Sequence, residues 1–113
     1  MDVHLITSDP SGFELIDSFE KDVSVTHVIV PSNRLKTTKT EKVLELANLR
    51  NLPVSIHHLH NHFDNSLPSS PAAISWLYSQ IICVSNLERY SKGVLNMHGG
   101  KIPEYRGANV MHW

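Results

Sequence analysis

Short apolar runs, separated by amphipathic or polar segments, recur along the first hundred residues of the chain. Residues 23–30 are rich in β-branched side chains, which favour a strand because they pack well on a pleated surface. Residues 72–78 are mostly small, aliphatic or aromatic, which is typical of a buried strand. The pattern predicts five strands, at residues 3–7, 23–30, 54–57, 72–78 and 93–96.

Amphipathic segments lie between these predicted strands. Phe13 and Ile16 form one apolar face after the first strand. A second helix is expected from Thr38, paired with Glu41 in a capping box, to about residue 51. Its buried face is predicted to contain Val43, Leu46, Ala47 and Leu49. A short helix is also expected at residues 86–90.

Strands that alternate with helices favour βαβ units. We therefore predict an α/β fold with a Rossmann-like parallel sheet and flanking helices. In such sheets the ligand site lies beyond the carboxyl ends of the strands. The segments 75–78 and 96–98 follow this rule, so candidate chemistry is expected there.

Composition limits the possible classes of protein. The 113 residues suffice for one small domain, and a net charge of −1 provides no overall field for nucleic acid or an anionic membrane. Cys83 is the single cysteine, which favours a reducing, cytoplasmic setting without disulfides. No apolar run approaches the roughly 18–20 residues that cross a bilayer. These features predict a soluble protein without a membrane or nucleic-acid partner.

Asn96 and His98 lie two positions apart at the end of a predicted strand, so their side chains can enter one pocket. An amide can stabilise a developing oxyanion, and an imidazole can transfer a proton near neutral pH. Gly99 and Gly100 then permit close backbone approach. The residues alone leave a second interpretation open, namely a simple polar turn after a strand.

Residues 96–109, Asn-Met-His-Gly-Gly-Lys-Ile-Pro-Glu-Tyr-Arg-Gly-Ala-Asn, resemble the Asn-x-His, Leu-Pro-x-Tyr-Arg-Gly signature of the folate-dependent formyltransferases. The segment 74–82 is similar to the part of that family that borders the folate pocket. The Gly99-Gly100 variant is closest to the branch that modifies amino sugars.

The resemblance implies a donor and a set of site residues. The donor is N10-formyltetrahydrofolate, with its pterin bound near Trp76, Leu77, Tyr78 and Ile81. Asn96 and His98 are the implied catalytic residues. The implied acceptor contacts are Gly99, Gly100, Lys101, Tyr105, Arg106 and Asn109. Arg106 has two open roles, binding an acceptor phosphate or holding its own loop through backbone carbonyls.

The acceptor implied by the resemblance is a small-molecule amine, in first place a nucleotide-linked amino sugar. A methionyl-tRNA formyltransferase-like enzyme is the alternative, and the oligomeric state is left open. The family also requires an aspartate downstream of the Tyr-Arg-Gly segment, and the chain has none after Asp64. We therefore expect residues 1–113 to be the N-terminal part of a catalytic domain, truncated before its last strands and inactive alone. An inactive remnant of a formyltransferase gene is the competing interpretation.

Two further groups of residues could either bind a ligand or simply lie in solvent-exposed segments. A run of histidines could bind a transition metal, because imidazoles at alternate positions can share one face; these are His57, His58, His60 and His62. An exposed loop is favoured, because no cysteine or carboxylate other than Asp64 lies at ligand spacing, and no metal site is expected. Arg34, Lys36, Lys39 and Lys42 could contact a phosphorylated sugar, although a solvated loop and helix start is favoured.

Overall fold

A computed structural model describes residues 1–19, 22–58, 61–64, 66–80 and 82–97. All five strands are parallel and form one sheet in the order β3-β2-β1-β4-β5, which confirms the predicted α/β Rossmann-like class. The elements are β1 (Asp2–Thr7), α1 (Ser11–Ser18), β2 (Ser24–Pro31), a 3₁₀ turn (Ser32–Arg34), α2 (Thr38–Leu49), β3 (Val54–His57), β4 (Ala72–Trp76), α3 (Val84–Leu87) and β5 (Val94–Met97).

The order of the strands creates a crevice beside β1. Within the plane of the sheet, β2 and β3 lie to one side of β1. The chain then returns, and β4 and β5 lie to the other side of β1. The loops that follow β1 and β4 therefore diverge at their carboxyl ends. A topological switch point of this kind is where open parallel sheets bind ligands.

One side of the sheet, here called the helical face, is covered by α1 and α2. Alternate strand residues such as Leu5, Val28 and Ile74 point to this side and pack with helix residues Phe13 and Val43. All ten buried side chains in this cluster are aliphatic or aromatic hydrocarbon. This face has the composition of an ordinary hydrophobic core.

The other side, here called the loop face, is covered by segments 61–64, 66–71, 78–80 and 82–91, the last of which includes α3. Ile6, Ile29 and Ala73 point to this side and pack with Phe63 and Tyr78. Several polar side chains are buried with them, namely His4, His57, Ser75, Gln80 and Asn86. The loop face is therefore a mixed polar and apolar layer.

The structure corrects several element boundaries. The cap of α2 is Thr37, whose hydroxyl accepts from the Thr40 N–H, so the predicted Thr38–Glu41 box is wrong by one position. Leu49 is 69% exposed and does not belong to the buried face of α2. Strand β4 ends at Trp76, two residues early, because Leu77 adopts a φ of 47° and cannot continue the ladder. The short helix begins at Val84, before the predicted position.

No helix among the described residues is long and apolar enough to cross a membrane.

Candidate active site

A cleft of about 580 Å³ opens at the carboxyl ends of β1, β2 and β4. Its volume lies within the range of roughly 300–1,000 Å³ that is usual for small-molecule sites. The lining combines hydroxyl, charged and apolar side chains from three separate loops. These residues are Ser8, Asp9, Arg34, Thr37, Thr38, Lys39, Leu77, Tyr78 and Ser79.

Two hydroxyl groups from the end of β1 hold the loop that follows β4. Thr7 Oγ1 donates to the carbonyl of Trp76, and Ser8 Oγ donates to the carbonyl of Leu77, each at 2.6 Å. The left-handed φ of Leu77 turns the chain sharply at this point. Together these contacts fix the loop across the switch point and shape one wall of the cleft.

Gln80 ties the same loop to β2 and β3. Its Oε1 accepts from the Asn33 N–H at 2.9 Å and from the Ser32 hydroxyl at 3.1 Å. Its Nε2 donates to the His57 carbonyl at 2.8 Å. Because the side chain is only 1% exposed, these hydrogen bonds replace all of its contacts with water. Gln80 therefore links the loop after β4 to the carboxyl ends of β2 and β3 by hydrogen bonds.

His57 lies at the end of β3 and is buried against Tyr78. Its Nε2 lies 3.1 Å from the Asn61 carbonyl, which can only accept, so Nε2 carries the proton. Nδ1 is then the acceptor for the Tyr78 hydroxyl at 2.7 Å. Burial lowers the pKa of His57 and raises the pKa of Tyr78, so both groups are neutral at pH 7. The pair holds the wall of the cleft without adding charge.

The charged groups of the cleft are concentrated near α1 and α2. Asp9 accepts from the Ser11 N–H and hydroxyl, at 2.9 and 2.6 Å, and pairs with Lys39 at 3.3 Å. Burial acts to raise the pKa of Asp9, but the hydrogen bonds from Ser11 and Lys39 outweigh it and lower the pKa overall. Arg34 has no ion-pair partner among the described residues. The cleft therefore presents one uncompensated cation to a ligand.

The predicted donor-site residues occupy different positions around this cleft. Leu77 and Tyr78 line it, although the Tyr78 side chain is 1% exposed. Trp76 is half-buried, and its indole N–H donates to the Ser11 hydroxyl at 2.7 Å, away from the cleft lining. Ile81 lies outside the described residues. Their contact with a pterin stays a prediction.

Asn96 is half-buried, one residue before the end of β5, on the same edge of the sheet as the cleft. Its backbone partner in the neighbouring strand is Ser75 of β4. The catalytic role of Asn96 stays a prediction. The other motif residues lie outside the part of the chain that the structure describes, and they are His98, Gly99, Gly100, Lys101, Tyr105, Arg106 and Asn109.

Sequence reasoning missed Gln80 and His57 as parts of the site. Gln80 follows a predicted strand without any motif, and His57 was grouped with an exposed histidine run, of which His58 and His62 are indeed exposed. The sequence could have indicated His57, because it is the last residue of a predicted strand. In a parallel sheet the carboxyl ends of the strands lie at the ligand-binding edge. In the described ranges no three His, Cys, Asp or Glu side chains are grouped to hold a metal ion.

The comparisons with known proteins include a similarity to a formyltransferase. Over 106 residues the chain is 32% identical to a methionyl-tRNA formyltransferase of Alkaliphilus oremlandii, covering 88% of this chain. The chain spans 34% of the length of that relative. No protein-family model matches the chain, and no solved structure matches it. The long similarity to this relative, on a parallel Rossmann-like sheet, supports the formyltransferase family for this chain.

Proposed function

We propose that this chain forms the donor-binding part of an enzyme that transfers a formyl group from N10-formyltetrahydrofolate to an amine. The observation that carries the proposal is the 32% identity to a methionyl-tRNA formyltransferase over 106 residues. The parallel α/β fold adds a cleft at the switch point and places Asn96 near the end of β5. Residues 1–113 would then be the N-terminal part of the catalytic domain.

The cleft residues suit such a donor in size and chemistry. The volume of about 580 Å³ accommodates a flat heterocycle. Leu77 offers an apolar surface, and the hydroxyls of Ser8 and Ser79 offer polar contacts for ring nitrogens and oxygens. The loop after β4 is held by Thr7, Ser8 and Gln80, so its backbone is already ordered to receive a ligand.

The reaction needs one oxygen to be stabilised and one proton to be moved. When bound, N10-formyltetrahydrofolate supplies a formyl carbon that an amine can attack. The Asn96 amide would donate a hydrogen bond to the formyl oxygen as negative charge develops there. The His98 imidazole would take up the proton that the attacking amine loses. The bond from the formyl carbon to N10 then breaks, N10 receives a proton, and tetrahydrofolate leaves. Holding donor and amine together would contribute a large further part of the rate.

Two acceptors are candidates, and different observations favour them. The relative's name favours methionyl-tRNA. The net charge of −1 and the single uncompensated Arg34 in the cleft favour a small phosphorylated acceptor, such as a nucleotide-linked amino sugar, because a tRNA surface needs many cationic contacts. Lys101, Tyr105, Arg106 and Asn109, with Gly99 and Gly100, are the proposed acceptor contacts.

The test is formyl transfer by the complete gene product that contains this chain, with N10-formyltetrahydrofolate as donor. Charged methionyl-tRNA and nucleotide-linked amino sugars are supplied in parallel, and formylated products are measured by mass spectrometry. Formylation of one class identifies the acceptor. Formylation of neither, nor of any simple amine, contradicts the proposal.

Asn96→Ala tests the chemistry directly. Loss of one oxyanion donor is expected to reduce kcat by about 10²–10³-fold. Asn96→Asp, which keeps the shape but lacks the donor, should be equally slow. Asn48→Ala, at an exposed position of α2, is the control and should keep full turnover. Unchanged turnover in Asn96→Ala would remove Asn96 from the mechanism.

A further inference from the structure

Ser75 places a buried hydroxyl without a partner near the proposed reaction centre. The residue is 0% exposed, and its Oγ has no hydrogen-bond partner among the described residues. Other hydroxyls beside β1 and β4 are engaged in hydrogen bonds. Thr7 and Ser8 donate to carbonyls after β4, and Ser70 donates to the carbonyls of Asp2 and Ala72. An unused hydroxyl in this position therefore needs an explanation.

The register of β4 and β5 places Ser75 directly beside Asn96. Ser75 and Asn96 are Cα partners, and the preceding pair on the same face, Ala73 and Val94, packs in the loop-face cluster. Neighbouring strands lie about 4.8 Å apart, and side chains alternate between the two faces. The Ser75 hydroxyl and the Asn96 amide therefore project from the same face within reach of each other.

We infer that Ser75 is a positioning residue for Asn96, an inference that rests on the proposed function. Its hydroxyl donates a hydrogen bond to Asn96 Oδ1 when the donor is bound. This bond orients the amide group so that the Asn96 NH₂ faces the formyl oxygen. Ser75 itself does not touch the reacting atoms.

A purely structural role for this hydroxyl makes the opposite prediction. A buried hydroxyl without a partner destabilises a fold, because its hydrogen bonds with water are lost and not replaced. Removing it should then leave the protein at least as stable and fully active. A positioning role instead predicts a loss of turnover without a loss of stability.

The experiment compares Ser75→Thr with Ser75→Val in the complete gene product. Threonine and valine have nearly the same shape, so any repacking around Ala73 and Val94 affects both variants, and only threonine keeps the hydroxyl. Formyl transfer kinetics and the ¹⁵N–¹H signals of the Asn96 side-chain amide are measured, the latter with and without 5-formyltetrahydrofolate, a stable isomer of the donor. Ser70→Ala, which removes a buried hydroxyl at the opposite end of β4, is the control.

We expect Ser75→Val to lower kcat by about tenfold, the size of one lost hydrogen bond, with KM for the donor unchanged. Ser75→Thr should stay within about threefold of the wild type, and only Ser75→Val should shift the Asn96 amide signals. Ser70→Ala should change neither. Equal kcat and equal amide signals in the Thr and Val variants would overturn the inference while leaving formyl transfer intact. If the wild type transfers no formyl group, the proposed function fails, and the amide signals alone still decide whether Ser75 orients Asn96.

Discussion

The helical face and the loop face of the sheet bury comparable numbers of large side chains but hold them by different means. On the helical face, α1 and α2 satisfy their own backbone hydrogen bonds, so only apolar side chains are needed between helix and strand. On the loop face, the irregular covering segments lack the regular backbone hydrogen bonds of a helix. Buried side chains therefore form hydrogen bonds with their backbone N–H and C=O groups. Asn86 Oδ1 accepts from the Phe63 N–H at 2.8 Å, and its Nδ2 donates to the Asn61 carbonyl at 3.1 Å.

This difference explains where the polar residues of the fold are found. His4 Nδ1 lies 2.8 Å from the Tyr90 hydroxyl, and His57 Nδ1 lies 2.7 Å from the Tyr78 hydroxyl. Both pairs connect a strand to a covering loop. The same loops reach the carboxyl edge, where Tyr78 and Ser79 line the cleft. The loop face thus combines stabilisation with shaping of the candidate site through its buried side chains, whereas the buried cluster of the helical face is held by apolar packing.

The largest expected effect comes from removing one phenylalanine from each face. Phe13→Ala on the helical face should lower the free energy of unfolding by about 3–5 kcal/mol, because two packed helices cannot collapse into the cavity. Phe63→Ala on the loop face should lower it by roughly 2 kcal/mol, because an irregular segment can move into the vacated volume. Urea denaturation measures both. Leu49→Ala, at an exposed position, should stay within about 0.5 kcal/mol of the wild type. A greater loss for Phe63→Ala than for Phe13→Ala would reverse the comparison.

Acid should destabilise the loop face. Burial, with smaller contributions from His27 and Arg89, lowers the pKa of His4 from 6.5 to about 4. Between these values the unfolded chain binds more protons than the folded chain, so stability is complete above pH 6.5 and falls as the pH drops toward 4. The loss attributable to His4 is up to about 3 kcal/mol. Burial also lowers the pKa of His27 and His57, which adds to the loss in the same direction.

Urea denaturation between pH 7.5 and pH 4.5 measures this dependence. The double variant His4→Phe with Tyr90→Phe removes the titrating ring without leaving an unpaired hydroxyl on Tyr90. Its stability should fall less steeply with acid than that of the wild type. A wild-type profile that is flat over this range would show that the buried histidines do not control stability.

A smaller effect is expected at Gln80. Gln80→Ala removes the hydrogen-bond partner of the Asn33 N–H and leaves the buried His57 carbonyl without this donor, which should cost about 1–3 kcal/mol of stability. Ser79→Ala removes one exposed hydrogen bond to Asn33 in the same loop and should cost much less. Thermal unfolding compares the two. If Gln80→Ala weakens binding of N10-formyltetrahydrofolate by more than Ser79→Ala does, the Gln80 side chain is needed to hold the cleft wall. Equal stability of both variants would contradict this role.

The central strands were predictable because burial of parallel strands favours apolar runs, and the runs at β1 and β2 are short and clearly bounded. The end of β4 was not predictable in the same way. Leu77 is apolar and reads as a continuation, yet its φ of 47° is imposed by the hydrogen bonds that Thr7 and Ser8 make to the loop. Leu49 was misassigned for a related reason, since helical spacing indicates a face but not how far the covering sheet extends beneath it.

The sequence by itself determined the fold class and the position of Asn96 near a strand end. The hydrophobic pattern predicts the alternating strands and helices, and the contiguous motif begins in the last predicted strand. Only the tertiary structure decided that Gln80, His57 and the β1 hydroxyls meet at one edge, and that Ser75 lies beside Asn96. Those residues are far apart in sequence, and their hydrogen bonds depend on strand order and register. Strand order is set by the packing of the whole sheet, which no local pattern of residues specifies.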